Sequence, residues 1–126
     1  MFDVGNRAGL FYYIMPYLDG ETLAARLERG PLSLAQGVQT GRDLLDALQS
    51  CHRRGVVHRD IKPSNIRLVD GRAVLIAFGI AKSLSDPSTP PLTGPGQPVG
   101  TIEYMPPEQA AGRDATPQTD LCALAM

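Results

Sequence analysis

The stretch "PLSLAQGVQTGRDLLDALQSCHRRGVV", Pro31 to Val57, most constrains how this chain can fold. Ser33 followed three residues later by Gln36 forms a capping box, in which hydroxyl and amide side chains satisfy N–H groups that a helix start leaves without partners. Val38, Leu45 and Leu48 recur at helical spacing, Leu44 widens the stripe, and Gly55 is placed to close the helix. One long amphipathic helix is therefore predicted, and the rest of the chain must supply what its apolar side packs against.

The candidates are short. "GLFYYIMPYL", Gly9 to Leu18, is aromatic, β-branched and apolar, and Pro16 ends any ladder, so a strand runs into an extended connector. "DGETLAARLERG" reads as a short helix that stops at Gly30. After the long helix come three strand-like pieces, "VVH", "IRLV" and "AVLIAF", the last two joined at Asp70-Gly71, a tight hairpin turn signal. "TPQTDLCALAM" reads as the first turns of an apolar helix. The fold class is α+β. No internal repeat is present, and because the chain begins in a strand pattern and stops in a helix pattern it reads as a piece of something larger.

Composition excludes several function classes. The 126 residues, 43% hydrophobic and 20% charged, suit one ordinary globular domain. A net charge of -1 argues against a nucleic-acid surface or a polybasic membrane patch. The chain has no apolar run of about 18 residues, and "MFDVGNRAGL" lacks the order of a signal peptide. Cys51 and Cys122 are far apart and read as free thiols in a reducing compartment. Cys51 beside His52 offers too few ligands for zinc. The expected location is the cytoplasm.

From Ser83 to Gly100, "SLSDPSTPPLTGPGQPVG" is dense in Pro, Gly, Ser and Thr and reads as a loop or linker. Its "GPGQPVG" is no phosphate cradle. The spacing is wrong, no strand precedes it, and two prolines remove N–H donors.

The chemistry concentrates in "VVHRDIKPSNI". Asp60, Lys62 and Asn65 are expected in a non-helical turn between strands, with Pro63 preventing a regular helix. A carboxylate, an ammonium two residues on and an amide five residues on give a base, a charge clamp and a neutral oxygen ligand in one loop. Phosphoryl transfer wants that set. The plain alternative, Asp, Arg and Lys pairing with one another at a surface, suits an isolated Asp-x-Lys better than this full pattern.

Four blocks in order resemble the protein kinases, specifically the bacterial eukaryotic-like serine/threonine kinases. "HRDIKPSN" matches the catalytic-loop pattern H-R-D-x-x-x-x-N, and "AFGIAK" lies where that family has D-F-G. "GTIEYMPPEQAAG" resembles the G-T-x-x-Y-M-x-P-E-Q segment, and "YYIMPYLDGETL" the last strand of the first lobe and the hinge. The resemblance implies a protein-kinase-like fold with a mainly helical C-lobe, a short β-hairpin and an N-lobe mostly absent. Residues 1–18 would be the last N-lobe strands and hinge, and residues 19–126 a partial C-lobe with catalytic loop 58–65 and activation segment 77–108.

The implied activity is transfer of the ATP γ-phosphoryl group to a protein Ser or Thr, with Mg²⁺. Asp60 would orient the acceptor hydroxyl, Lys62 would steady the phosphoryl group, and Asn65 would bind magnesium. His58, Phe78 and Gly79 would align the loop. Thr101 would shape the site, Asp120 would hold the loop backbone, and Glu108 would seek an arginine outside this sequence. Met15, the Pro16 carbonyl and the Leu18 N–H would meet adenine, Glu21 the ribose, and the Arg67 stem would cover the base. Arg59 would engage a phosphorylated loop residue, with Thr93 the best-placed acceptor ahead of Ser85, Ser88 and Thr89.

Two departures qualify the implied activity. The only lysines are Lys62 and Lys82, so the strand lysine that anchors ATP is not among these residues, nor is the Gly-rich loop. Ala77 stands where the family has its metal-binding aspartate. Losing one such ligand removes roughly 3–5 kcal/mol of transition-state stabilisation, about 10²–10⁴ in rate. The expectation is a kinase domain inactive as given. The alternatives are a pseudokinase-like module that binds proteins, or a small-molecule phosphotransferase of the same fold. Lys62 and "PPEQ" argue against the last.

Overall fold

The computed structural model describes residues 3–7, 10–76 and 102–126. Two strands come first, β1 (Asp3–Arg7) and β2 (Leu10–Ile14), paired antiparallel with Asp3 opposite Ile14 and Arg7 opposite Leu10. A connector through Met15, Pro16 and Leu18 leads to β3 (Glu21–Thr22), helix α1 (Leu23–Leu27) and the long helix α2 (Leu34–His52). A 3-10 turn (Pro63–Asn65) opens the hairpin of β4 (Ile66–Val69) and β5 (Arg72–Leu75). A second 3-10 turn (Ile102–Tyr104), the short helix α3 (Pro107–Ala110) and helix α4 (Pro117–Ala125) follow.

The local signals in α2 act as their chemistry dictates. The Ser33 hydroxyl accepts from the Gln36 N–H at 3.3 Å, and the Gln36 side chain accepts from the Ser33 N–H at 3.1 Å. At the other end Val56 N–H reaches the Cys51 carbonyl and Gly55 N–H the His52 carbonyl, the paired bonds of a Schellman closure. In the hairpin, Asp70 and Gly71 take φ values of +48° and +76°, the geometry of a type I′ turn.

Three local expectations need correction. Val56 to His58 is not a strand; the Val56 N–H bonds the end of α2 and the His58 N–H the Asp120 side chain instead of a ladder. Pro63 opens a turn of 3-10 helix, because the first position of a helix needs no N–H. The short helix predicted before Gly30 is preceded by a two-residue strand, β3, which pairs with β4 through Glu21–Leu68 and Thr22–Arg67. So small a strand carries no periodicity of its own.

The core lies where α2 meets the three-stranded sheet β3-β4-β5. Leu44 and Leu48 of α2 pack with Ile66, Ala73 and Leu75 of the hairpin, joined by Leu23, Ile61 and Ala123. The buried stripe of α2 is narrower than its sequence spacing suggests, since Val38 and Leu45 are each 48% exposed. Two-residue alternation places Ile66, Leu68, Ala73 and Leu75 on the core face of the hairpin and Arg67 and Val74 on the other.

A buried carboxylate fastens helix to hairpin. Asp43 of α2 accepts from the Ala73 N–H, from Arg72 Nε and from Gln39 Nε2, each at 2.9 Å. The Arg72 guanidinium, followed by the Ala73 N–H, holds the Asp43 carboxyl below the ordinary carboxylate range. Asp43→Ala strands a buried N–H and is expected to cost roughly 1–3 kcal/mol in urea unfolding at neutral pH. Because the folded value is depressed, this contribution is present above the unfolded value of about 4 and lost as pH falls through the folded one. The gap between parent and variant should therefore close in acid, and a gap independent of pH would contradict the ion pair.

Candidate functional site

Asp60, Lys62 and Asn65 converge. Lys62 Nζ lies 3.1 Å from Asp60 Oδ1, and Asn65 Nδ2 donates to Asp60 Oδ2 at 2.6 Å and to the Asp60 carbonyl at 2.9 Å. The 3-10 turn makes this possible: Asn65 N–H bonds the Lys62 carbonyl, folding the amide back over the carboxylate. The Asp60 side chain is 40% exposed, so its pairing with Lys62 is worth little as a fold element. The carboxylate faces solvent while its neighbours set its direction.

That direction rests on backbone held by side chains. Asp120 of α4, buried to 1% exposure, accepts the His58 N–H at Oδ2 and the Arg59 N–H at Oδ1, both at 2.8 Å. Arg59 sits at φ +72°, a left-handed conformation that a non-glycine residue keeps only when its surroundings hold it. His58 is fully buried. Its Nδ1 accepts the Asp60 N–H at 3.3 Å and its Nε2 donates to the Ile76 carbonyl at 3.0 Å. Those two bonds require the neutral ring with its proton on Nε2. Burial accordingly pushes the His58 imidazole below its ordinary value.

Two contacts had no signal in the motif. His52, in the last turn of α2, donates from Nε2 to Asp120 Oδ2 at 2.8 Å, so the anchoring carboxylate has a third partner. Gln109 Nε2 donates to the Arg59 carbonyl at 2.8 Å. Both partners lie about fifty or more residues away in sequence, and only a spacing template for the whole domain could have paired them. Glu108, beside Gln109, is held below the ordinary carboxylate range by its own backbone N–H and then by the Thr119 hydroxyl.

The hinge candidates are less gathered. Met15 and Leu18 are half-buried and Pro16 is exposed. Both Glu21 oxygens are taken by the Arg29 guanidinium, at 2.6 and 2.7 Å, and this lowers the Glu21 carboxyl. Arg67 lies on the hairpin face away from the core, and its guanidinium donates to the Gly20 carbonyl. Gly20, at φ +132°, lets the connector pass this close: a Cβ there would stand 2.1 Å from the Leu68 carbonyl oxygen. Ala77, Phe78, Gly79, Ser85, Ser88, Thr89, Thr93 and Thr101 lie outside the described residues.

Asn65 donates to Asp60 from Nδ2, and its Oδ1 is a neutral oxygen of the kind magnesium takes; among the described residues no three His, Cys, Asp or Glu side chains gather to hold a metal by themselves. A surface hollow of about 480 Å³ between α2 and α4 is lined by Leu45, Leu48, Gln49, His52, Arg53 and Leu121. None of Asp60, Lys62 or Asn65 lines it.

Two outcomes test this arrangement. Asp120→Ala leaves two backbone N–H groups of the loop and His52 without their acceptor, and should cost roughly 3–5 kcal/mol in denaturant unfolding. An unchanged midpoint would remove Asp120 as the anchor. The depressed His58 value means that stability is full above the unfolded value of about 6.5 and falls as pH drops through the folded one. The His58 ring should titrate below an exposed histidine in an NMR pH series.

Comparison with known proteins places the cluster in context. The sequence matches the protein kinase domain family over residues 1–126. It is 42% identical to serine/threonine-protein kinase PknD of Mycobacterium tuberculosis over 125 residues, which is 98% of this chain and 18% of that protein. It is 44% identical to serine/threonine-protein kinase Pkn1 of Myxococcus xanthus, covering 98% of this chain and again 18% of the relative. The crystal structure of the M. tuberculosis PknI kinase domain superposes with a TM-score of 0.74 at 31% identity, over 98% of this chain and 43% of that one. The chain thus spans less than a fifth of the length of these two curated relatives, and throughout that span it belongs to the protein kinase domain family, in its bacterial serine/threonine branch.

Proposed function

We propose that this chain carries the acceptor side of a serine/threonine protein kinase site and that, with Ala77, it transfers little or no phosphoryl group. One observation carries the reading: a solvent-facing Asp60 carboxylate is aimed by Lys62 and Asn65 on a loop whose backbone Asp120 holds from beneath. Asp60 would accept the hydrogen bond of a protein Ser or Thr hydroxyl and orient its oxygen for attack. Lys62, half-buried beside it, would balance charge on the phosphoryl group in transit. The phosphoryl donor in this reading is ATP, a substrate of the family.

Residues 1–18 would then supply the last strands of the first lobe and the hinge, and residues 19–126 the partial second lobe. Met15, the Pro16 carbonyl and the Leu18 N–H are the proposed adenine contacts. Glu21 would reach a ribose only by exchanging Arg29 for it, and the Arg67 stem would lie under the base. Magnesium is the family's usual companion of ATP. Here it has Asn65 Oδ1 and, by sequence, no carboxylate at position 77, so no step is assigned to it. The proposed partner is a protein with an accessible Ser or Thr, with no nucleic acid involved. The proposed location is the cytoplasm, where ATP and reducing conditions for Cys51 and Cys122 coincide; among the described residues no helix is long and apolar enough to cross a membrane.

Ala77 favours one second reading, a pseudokinase-like module that docks protein partners without chemistry. Radiolabel transfer from ATP to a generic protein substrate separates the readings. The 126-residue chain should show no transfer above the level of its Asp60→Asn variant. Transfer by the parent that Asp60→Asn abolishes would overturn the inactivity. Transfer restored by Ala77→Asp would assign the inactivity to the lost carboxylate alone; transfer still absent would assign it also to the strand lysine and Gly-rich loop that these residues do not contain.

A further inference from the structure

The peptide group joining Arg59 to Asp60 is gripped at both ends by side chains. Its N–H donates to His58 Nδ1 at 3.3 Å, and its carbonyl accepts from Gln109 Nε2 at 2.8 Å. The preceding N–H groups, of His58 and Arg59, are held separately by Asp120. Arg59 at φ +72° therefore lies between two pinned peptide planes, one fixed from α4 and the other from α3. The Asp60 side chain is attached directly to the second plane, so rotation of that plane turns the carboxylate away from Lys62 and Asn65.

Gln109 is well placed for this task. Its N–H bonds the carbonyl of Pro106, which is among the most deeply buried residues, so the start of α3 is fixed and the amide has a defined reach. A carbonyl acceptor demands a donor. Glutamine supplies one, whereas a glutamate would set lone pairs against it. The partner element is the segment Ile102–Ala110, which does not otherwise belong to the Asp60 loop.

We propose that Gln109 is a positioning residue for Asp60: it fixes the Arg59–Asp60 peptide plane and makes the aim of the carboxylate depend on the Ile102–Ala110 segment being docked. This rests on the reading of Asp60 as the group that meets an acceptor hydroxyl, and it adds a coupling between that group and a separate segment of the domain. A displacement of the segment, by a bound protein or a change in the residues before it, would release the plane and disorient Asp60 without touching it.

Amide hydrogen exchange and amide chemical shifts of the 126-residue chain test this residue by residue, with Gln109→Met, Gln109→Glu and Gln109→Lys. In Gln109→Met, which keeps length and loses the donor, the Asp60 amide should shift and exchange roughly 3–10-fold faster. The His58 and Arg59 amides, held by Asp120, should keep their rates. Gln109→Glu should behave as Met or worse, and Gln109→Lys, which again presents N–H donors, should return the Asp60 amide toward the parent. An unmoved Asp60 amide in Gln109→Met overturns the proposal. So does a common acceleration of all three amides, which would mark Gln109 as ordinary packing or the variant as unfolded. No nucleotide enters the measurement, so its failure is distinct from a failed transfer reading.

Discussion

The rest of the site depends on one buried carboxylate. Asp120 has both oxygens out of water and accepts two backbone N–H groups and the His52 ring. A buried ion without partners is prohibitively costly, so the carboxylate is stable only while the loop folds down onto it. The loop in turn needs Asp120, because Arg59 takes a backbone conformation that does not persist by itself. Each makes the other possible. This mutual dependence lets a solvent-facing aspartate keep a fixed aim on a stretch with no regular secondary structure.

Asp43 repeats the device on the other side of the core. It sits in the middle of α2 and accepts one β5 backbone N–H, that of Ala73, together with the Arg72 side chain. Helix α2 thereby positions both halves of the site. Asp43 ties it to the hairpin, and His52 at its end ties it to Asp120. Leu44 and Leu48 supply the apolar contact between these polar fastenings, which is why the exposed Val38 and Leu45 do not loosen the arrangement.

Local chemistry was readable wherever a residue acts on its sequence neighbours. The Ser33–Gln36 box, the Gly55 closure and the Asp70-Gly71 turn act within a few residues and need no tertiary context. The Asp60–Lys62–Asn65 cluster is also local, spanning six residues and closed by one 3-10 turn. Val56 to His58 misled because β-branched residues signal burial as readily as they signal a strand. Here the burial is real at His58, while its N–H, which a ladder would have used, goes to Asp120 instead. β3 escaped notice because two residues cannot show an alternation, and its pairing is decided by the approach of Gly20 to Leu68.

By itself, the amino-acid sequence determined the helix, the hairpin, the polar cluster and, through the order of its blocks, the family. These follow from short-range bonding and from spacing that any reader of the chain can count. Only the tertiary structure decided that His52 completes the Asp120 anchor, that Glu21 is engaged by Arg29, and that Gln109 reaches the Arg59 carbonyl. The physical reason is that each of these bonds joins groups on different elements, and a donor's partner is set by where packing carries it. The apolar contacts of Leu44, Leu48, Ile66 and Leu75 bring those elements together, and the hydrogen bonds then settle which residues meet.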